Sequence, residues 1–191
     1  ISMTVDFEWK NISEVSIDLL RQFDCGRSDF NEFLVDTARR WQADGEAVTY
    51  VIVSSEEAST KCFSRIYGYV SINATGLLHS DTMERQYLSC AEIRMFAIAH
   101  QLRKRHDVTI LYSDIIFKMV LQNLYEMSTS VIGFRAIYLN ANDEGYHLYK
   151  NNGFDEISAY ISPTFESDVS IEGTTPMLLV LDDEMLYDIF Q

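Results

Sequence analysis

With 191 residues, 47% of them hydrophobic, the chain can bury a core of its own, and 13% aromatic residues with only two prolines exclude a disordered polypeptide. No window approaches the ~18 consecutive apolar residues of a membrane span, and three widely spaced cysteines (Cys25, Cys62, Cys90) exclude a disulfide scaffold and suit a reducing compartment. Fifteen Lys and Arg against 29 Asp and Glu give a formal net charge of -14, which disfavours nucleic acid and favours basic or amine-bearing partners. There is no CxxC pair and no HExxH, and the four histidines are scattered, so no metal site is expected. The opening Ile-Ser-Met-Thr lacks the basic-then-apolar pattern of a secretory signal, so a cytoplasmic location is expected. Without repeats, linkers or low-complexity runs, residues 1–191 read as a single domain.

TVDFEWKNI alternates like a first strand. SEVSIDLLRQF and SDFNEFLVDTARRW read as helices; in the second, Phe30, Phe33, Leu34, Thr37, Ala38 and Trp41 recur at helical spacing. Ser28 or Asp29 is its expected N-cap, with Glu32 completing a capping box on Asp29. After Gly45 the period changes. VTYVIV, RIYGYVSI and EIRMFAI are β-branched and aromatic runs, expected as an antiparallel meander. A long helix follows, capped by Ser113 and ended by Gly133, with Ile116, Val120, Leu124, Met127 and Val131 on one face. RAIYLN reads as a buried strand, and DEGYHLYKNN as a short helix closed by Gly153 and Phe154. EISAYI and PMLLVL are two last strands flanking the acidic FESDVSIEGTT loop. The order β-α-α-β-β-β-α-β-α-β-β implies an α/β mixed sheet with one parallel crossover, and ligands in such sheets bind beyond the carboxyl ends of the parallel strands.

That rule singles out QLRKRHDV, where Arg103, Lys104, Arg105 and His106 form the densest cationic run of an acidic chain. It follows the EIRMFAI strand and precedes the Ser113 helix, the position of a phosphate loop, where cationic side chains and free helix N–H groups converge. From spacing alone, a solvated charged turn fits equally. No glycine lies between Gly76 and Gly133, so neither GxGxxG nor a Walker loop can form there.

NANDEGYHLYKNNGF carries Asn142, Gly145, Tyr149 and Gly153-Phe154 as N-x-x-G-x-x-x-Y-x-x-x-G-F. It resembles the C-terminal motif of the GNAT superfamily of acyl-CoA-dependent N-acyltransferases. CAEIRMFAIA is similar to the central strand of that superfamily's histone acetyltransferase branch, and FDCGRSDFNEFL followed by TYVIV resembles the front half of toxin-type GNATs that acetylate aminoacyl-tRNA. The resemblance implies the GNAT fold: a central mixed sheet with helices on both faces. It also implies acetyl-CoA as co-substrate. Backbone groups of Phe96, Ala97 and Ile98 and the side chain of Asn142 would hold the pantetheine, while Arg103, Lys104, Arg105 and the Ser113 helix start would meet the phosphates. Tyr149 would protonate the leaving thiolate and Glu92 would be the general base. Plainer roles stay open for these residues: an N-cap for Asn142, core packing for Tyr149, a strand-end acid for Glu92. One departure stands out, since the family's pyrophosphate loop, Q/R-x-x-G-x-G/A, is here longer and free of glycine. The expected activity is acetyl transfer to a primary amine on a basic small molecule or peptide, with homodimerisation through the C-terminal strands as in many family members. The alternatives are a catalytically weak acyl-CoA-binding or regulatory module and a tRNA-acetylating toxin paired with an antitoxin.

Overall fold

The computed structural model of the chain describes residues 6–79, 87–103, 111–157, 160–161 and 173–181. The chain divides into two compact units, residues 1–72 with 95–120 and residues 73–94 with 121–191, and strands β3 (Gly68–His79) and β4 (Tyr87–Ile98) contribute to both.

In the first unit β1 (Phe7–Asn11), β2 (Val48–Ser54) and β3 pair antiparallel in that order, with Phe7 opposite Ser54 and Tyr50 opposite Val70. Alternation along β2 sends Val51 and Val53 into one cluster with Tyr69 and Ala97 from the sheet. Helices α1 (Ile17–Leu20), α2 (Ser28–Glu32) and α3 (Ala38–Asp44) close that cluster with Leu20, Phe33, Leu34 and Ala38. Elsewhere in this unit Phe96 packs its ring 5.1 Å from Phe117 of helix α6 (Tyr112–Ser130), and Phe7 meets Tyr67 and Tyr112 edge-on.

The expected helix over SDFNEFLVDTARRW is interrupted by a π-helical turn, Phe33–Thr37, in which the Ala38 N–H reaches back to the Phe33 carbonyl. The Tyr69 hydroxyl donates to the Phe30 carbonyl at 2.9 Å, and the Arg39 guanidinium donates to the carbonyls of Ile12 and Val15. Long-range donors of this kind are invisible to a helical period, because Phe33, Leu34 and Ala38 still land inside. The cap also differs from expectation. Arg27 takes the cap position without a side-chain bond, and Asp29 pairs with the Arg27 guanidinium at 2.7 Å. A true capping box sits instead at Asn11 and Glu14, ahead of a 3-10 turn. Helix α4 (Ser55–Thr60), started by Ser54 accepting from the Glu57 N–H, was not foreseen in SSEEAST.

In the second unit the order is β3-β4-β5-β8-β6, where β5 is Ala136–Ala141, β6 Asp155–Glu156 and β8 Thr175–Val180; β7 (Tyr160–Ile161) pairs with the far end of β3. β4 and β5 are parallel, as a strand–helix–strand crossover requires. β8 returns antiparallel along the whole of β5. Both β3 and β4 outrun the expected strands 65–72 and 92–98. Helix α6 begins at Tyr112, so Ser113 lies in its first turn while the Leu111 carbonyl accepts from the Asp114 and Ile115 N–H groups. It ends at Ser130, leaving Val131 78% exposed instead of on the buried face, and Gly133 does not adopt the left-handed conformation of a glycine stop. Helix α7 (Tyr146–Asn151) completes the unit, and Gly153, at φ +84°, turns the chain back so that Phe154 is fully buried.

Gly68 opens β3 against the carbonyl of Ala97, and a Cβ there would lie 2.7 Å from that oxygen. Gly68→Ala should therefore destabilise the protein by about 1–3 kcal/mol, read as a lower urea midpoint. Gly133→Ala, whose Cβ would enter open space, should be neutral or slightly stabilising.

Candidate active site

Three neighbouring strands of the second unit change character along their length. On β4, Cys90 gives way to Glu92 and Arg94; on β5, Ala136 gives way to Tyr138 and Asn140; on β3, Leu77 is separated by one face-sharing position from Asn73. The apolar end is a cluster of Leu77, Cys90, Ala136, Tyr138 and Leu178. Because Cys90 registers with Ala136 and Glu92 with Tyr138, the polar residues share that cluster's face of the sheet.

Glu92 is 16% exposed, with an oxygen 3.9 Å from the Arg94 Nε. Burial pushes its carboxyl above the ordinary value, while the Arg94 charge and a hydrogen bond from the Asn73 side chain pull it back. Burial also raises the neighbouring Tyr138 phenol and the Cys90 thiol, each to about 12, with the Glu92 charge adding to both. Both neighbours thus stay protonated at neutral pH, and Glu92 is the group of this cluster placed to exchange a proton. The Asn140 amide donates to the Tyr138 hydroxyl at 2.7 Å and fixes its direction.

The Tyr149 motif is built as one piece. The Asn142 side-chain oxygen accepts from the Gly145 N–H at 2.8 Å, and the Asn142 carbonyl accepts from the Gly145 and Tyr146 N–H groups, so Asn142 closes the turn ahead of α7, while the N-cap itself is Gly145, without a side-chain cap bond. Gly145 must be small: a Cβ would lie 2.7 Å from Tyr149 Cε2 and 3.2 Å from the Asn142 oxygen. Tyr149 is 9% exposed, its ring 6.0 Å from that of Phe154, and its carbonyl receives the Asn152 and Phe154 N–H groups. Asn142, Gly145 and Tyr149 are thus brought together, as the spacing anticipated.

β4 itself carries a second feature. Its register with β5 runs from Cys90–Ala136 to Ile93–Leu139, yet β4 continues to Ile98. Phe96, Ala97 and Ile98 lie in the part of β4 that belongs to the first unit, where Ala97 and Ile98 are buried. Immediately after it, α5 (His100–Arg103) is tied to the FDCGR loop: the His100 N–H donates to the Asp24 carbonyl at 2.9 Å, and Asp24 also accepts from the Gly26 N–H and the Asn31 amide. Arg103 ends α5, whereas Lys104 and Arg105 lie outside the described residues, as does most of the FESDVSIEGTT loop. In the first turn of α6, Ser113 is half-buried, and Asp114 is paired with Lys118 at 3.3 Å. Asn73 carries no motif in the sequence; the signal it offers is the polar alternation Ser71, Asn73, Thr75 along β3. Among the described residues no His, Cys, Asp and Glu cluster is arranged to hold a metal ion, and no helix is long and apolar enough to cross a membrane.

No protein-family model matches the chain, and no curated protein matches its sequence. Solved structures do match. The chain is similar to a structure described as a bacterial toxin, at 15% identity with 97% of this chain and 93% of that one covered and a TM-score of 0.67. It is similar to a tyrosine-to-phenylalanine mutant of the AtaT toxin bound to the C-terminus of the antitoxin AtaR and acetyl-CoA, at 15% identity, 97% and 99% coverage and a TM-score of 0.66. It is also similar to AtaT complexed with acetyl-methionyl-tRNAfMet, at 15% identity, 97% and 100% coverage and a TM-score of 0.67. The fold is therefore the GNAT fold of these toxins, over nearly the whole chain.

Asn142→Ala removes the side-chain bond that closes the turn ahead of α7 and should cost about 1 kcal/mol of stability, seen as a lower urea midpoint. Asn142→Asp, which keeps the acceptor oxygen, should retain most of it.

Proposed function

We propose that the chain is an acetyl-CoA-dependent N-acetyltransferase whose acceptor is the α-amine of an aminoacyl-tRNA, working opposite a protein antitoxin. The observation that carries the reading is the match, over 97% of this chain, to a toxin complexed with acetyl-methionyl-tRNAfMet. Carboxylate chemistry supports it independently. An ammonium cannot attack a thioester until it loses a proton, and an α-ammonium, with a pKa of about 7.7–8.0, yields one to a carboxylate far more readily than a Lys side chain near 10.4.

The residues present fit the co-substrate. In this reading the backbone N–H and C=O groups of Phe96, Ala97 and Ile98 are the strand-like partners of the pantetheine amides. Asn142, engaged through its oxygen, keeps its amide N–H₂ for the same arm. Arg103, Lys104 and Arg105, with the first turn of α6 at Ser113, supply phosphate contacts by side chain where the family uses glycine-loop amides. Acetyl-CoA supplies an activated thioester. Glu92 takes the proton from the acceptor ammonium, backbone N–H groups of β4 meet the charge that develops on the carbonyl oxygen, and the Tyr149 hydroxyl gives its proton to the departing sulfur. No metal takes part in this scheme.

A second reading keeps the chemistry and changes the acceptor to a cationic small molecule or Lys-bearing peptide. The net charge of -14 favours it, because polyanions are repelled and cations steered in. The acidity thus argued against nucleic acid, and the comparisons argue for it; the toxin–tRNA match extends over nearly the whole chain, whereas net charge carries no information about where the charges lie.

Thiol release from acetyl-CoA, measured with aminoacyl-tRNA, polyamines and Lys peptides in parallel, separates the readings. Turnover with aminoacyl-tRNA is the expected result; turnover with polyamines or peptides and none with tRNA would install the second reading, and no release with any amine would overturn both. Tyr149→Phe keeps the ring and removes the donor, so it should slow turnover roughly 100-fold with unchanged acetyl-CoA affinity, as measured by steady-state kinetics beside calorimetric titration.

A further inference from the structure

Along β4 the side chains of Cys90, Glu92 and Arg94 follow one another on one face of the sheet, two residues apart. The Arg94 Nε lies 3.9 Å from a Glu92 oxygen, and both residues belong to the second unit. The two ends of the pair differ in exposure: the Glu92 side chain is 16% exposed and that of Arg94 36%. A guanidinium keeps its charge throughout the range in which a carboxyl titrates, so Glu92 has a positive neighbour at every pH that matters to it. The other ionisable groups on this face cannot take that place. Among the described residues, Cys90 shares β4 with Glu92, and Tyr138 is its register partner on β5. Both are buried and held protonated at neutral pH. Residues 70–78 of the adjacent β3 contain no ionisable side chain.

We propose that Arg94 is a positioning residue of the reaction: from one pleat along β4, its guanidinium keeps the Glu92 carboxylate ionised and ready to take the proton of the acceptor amine. Burial works in the opposite sense. It raises the Glu92 carboxyl toward the protonated form, in which it accepts nothing, and the Arg94 charge is the larger of the two influences that bring it down again, ahead of the Asn73 amide. The balance suits a base. Burial strengthens the carboxylate as a proton acceptor, and the fixed charge beside it keeps the acceptor form populated. Because the guanidinium is partly in water, added salt weakens its hold.

This inference rests on Glu92 being the base of the proposed acetyltransferase, and its test has a readout that does not. Glu92 must be ionised to accept a proton, so activity falls as pH drops through its pKa. Removing a positive neighbour disfavours the ionised form, which raises that pKa and moves the acidic limb to higher pH. The carboxyl carbon of Glu92 is titrated by NMR at low and at high salt in wild type, in the neutral variants Arg94→Gln and Arg94→Met, and in Arg94→Lys, which keeps the charge. The pH profile of kcat/KM with aminoacyl-tRNA is recorded for each. The expected result is a Glu92 midpoint raised by about half a pH unit in the neutral variants at low salt, restored in Arg94→Lys, with the gap from wild type narrowing as salt is added. The acidic limb should move with the midpoint, and acetyl-CoA affinity should stay unchanged. An unmoved Glu92 midpoint in either neutral variant, folded, would overturn the positioning role whether or not the enzyme turns over. A moved midpoint with an unmoved activity limb would overturn it as well, by showing that Glu92 is not the base, while thiol release in the wild type would leave the acetyltransferase reading standing.

Discussion

Parallel pairing of β4 with β5, Cys90 with Ala136 through Ile93 with Leu139, is the interaction on which the second unit depends, and β8 returns antiparallel along the other edge of β5 from Ala136 to Ala141. Residues 95–98 of β4 belong to the first unit. In the proposed reading their backbone N–H and C=O groups meet the amides of pantetheine, an extended ligand that pairs with a strand as an added strand would. In that unit the tie between His100 and Asp24 fixes where the chain leaves β4.

The chemistry depends on a second property of the same strand. Alternation puts Cys90, Glu92 and Arg94 on one face, so a single strand passes from a packed thiol to a half-desolvated carboxylate to an exposed guanidinium within five residues. Burial raises the carboxyl and makes it a better base than a solvated one, while Arg94 and Asn73 pull it partway back. In the proposed function such a carboxylate suits an α-amine better than a Lys side chain. The proposed tRNA acceptor is compatible with the overall acidity, since charge repulsion falls off within a Debye length of about 10 Å.

Much of this was legible in the sequence because it depends on local pattern. The β-branched runs gave β2 and the parallel crossover, and the Asn142–Gly145–Tyr149 spacing anticipated a unit that closes on itself through one side-chain bond and a glycine with no room for a Cβ. What escaped depends on partners distant in sequence. The π turn at Phe33–Thr37 lies next to a carbonyl that takes its donor from Tyr69, 39 residues away, and Arg39 reaches carbonyls more than twenty residues back. The end of α6 was misplaced because Val131 keeps the helical period while lying exposed beyond the last turn. Ser113 was read as a cap and proves to be a first-turn residue, which leaves its hydroxyl at the helix start where it was expected to act.

Amide hydrogen exchange along β4, with and without acetyl-CoA, tests the account most directly. The proposed pairing of pantetheine with β4 predicts that acetyl-CoA slows exchange within residues 95–98 and leaves Cys90 to Ile93, already paired with β5, unchanged. Saturable binding that protects none of the amides from 95 to 98, or no binding at all, would contradict it.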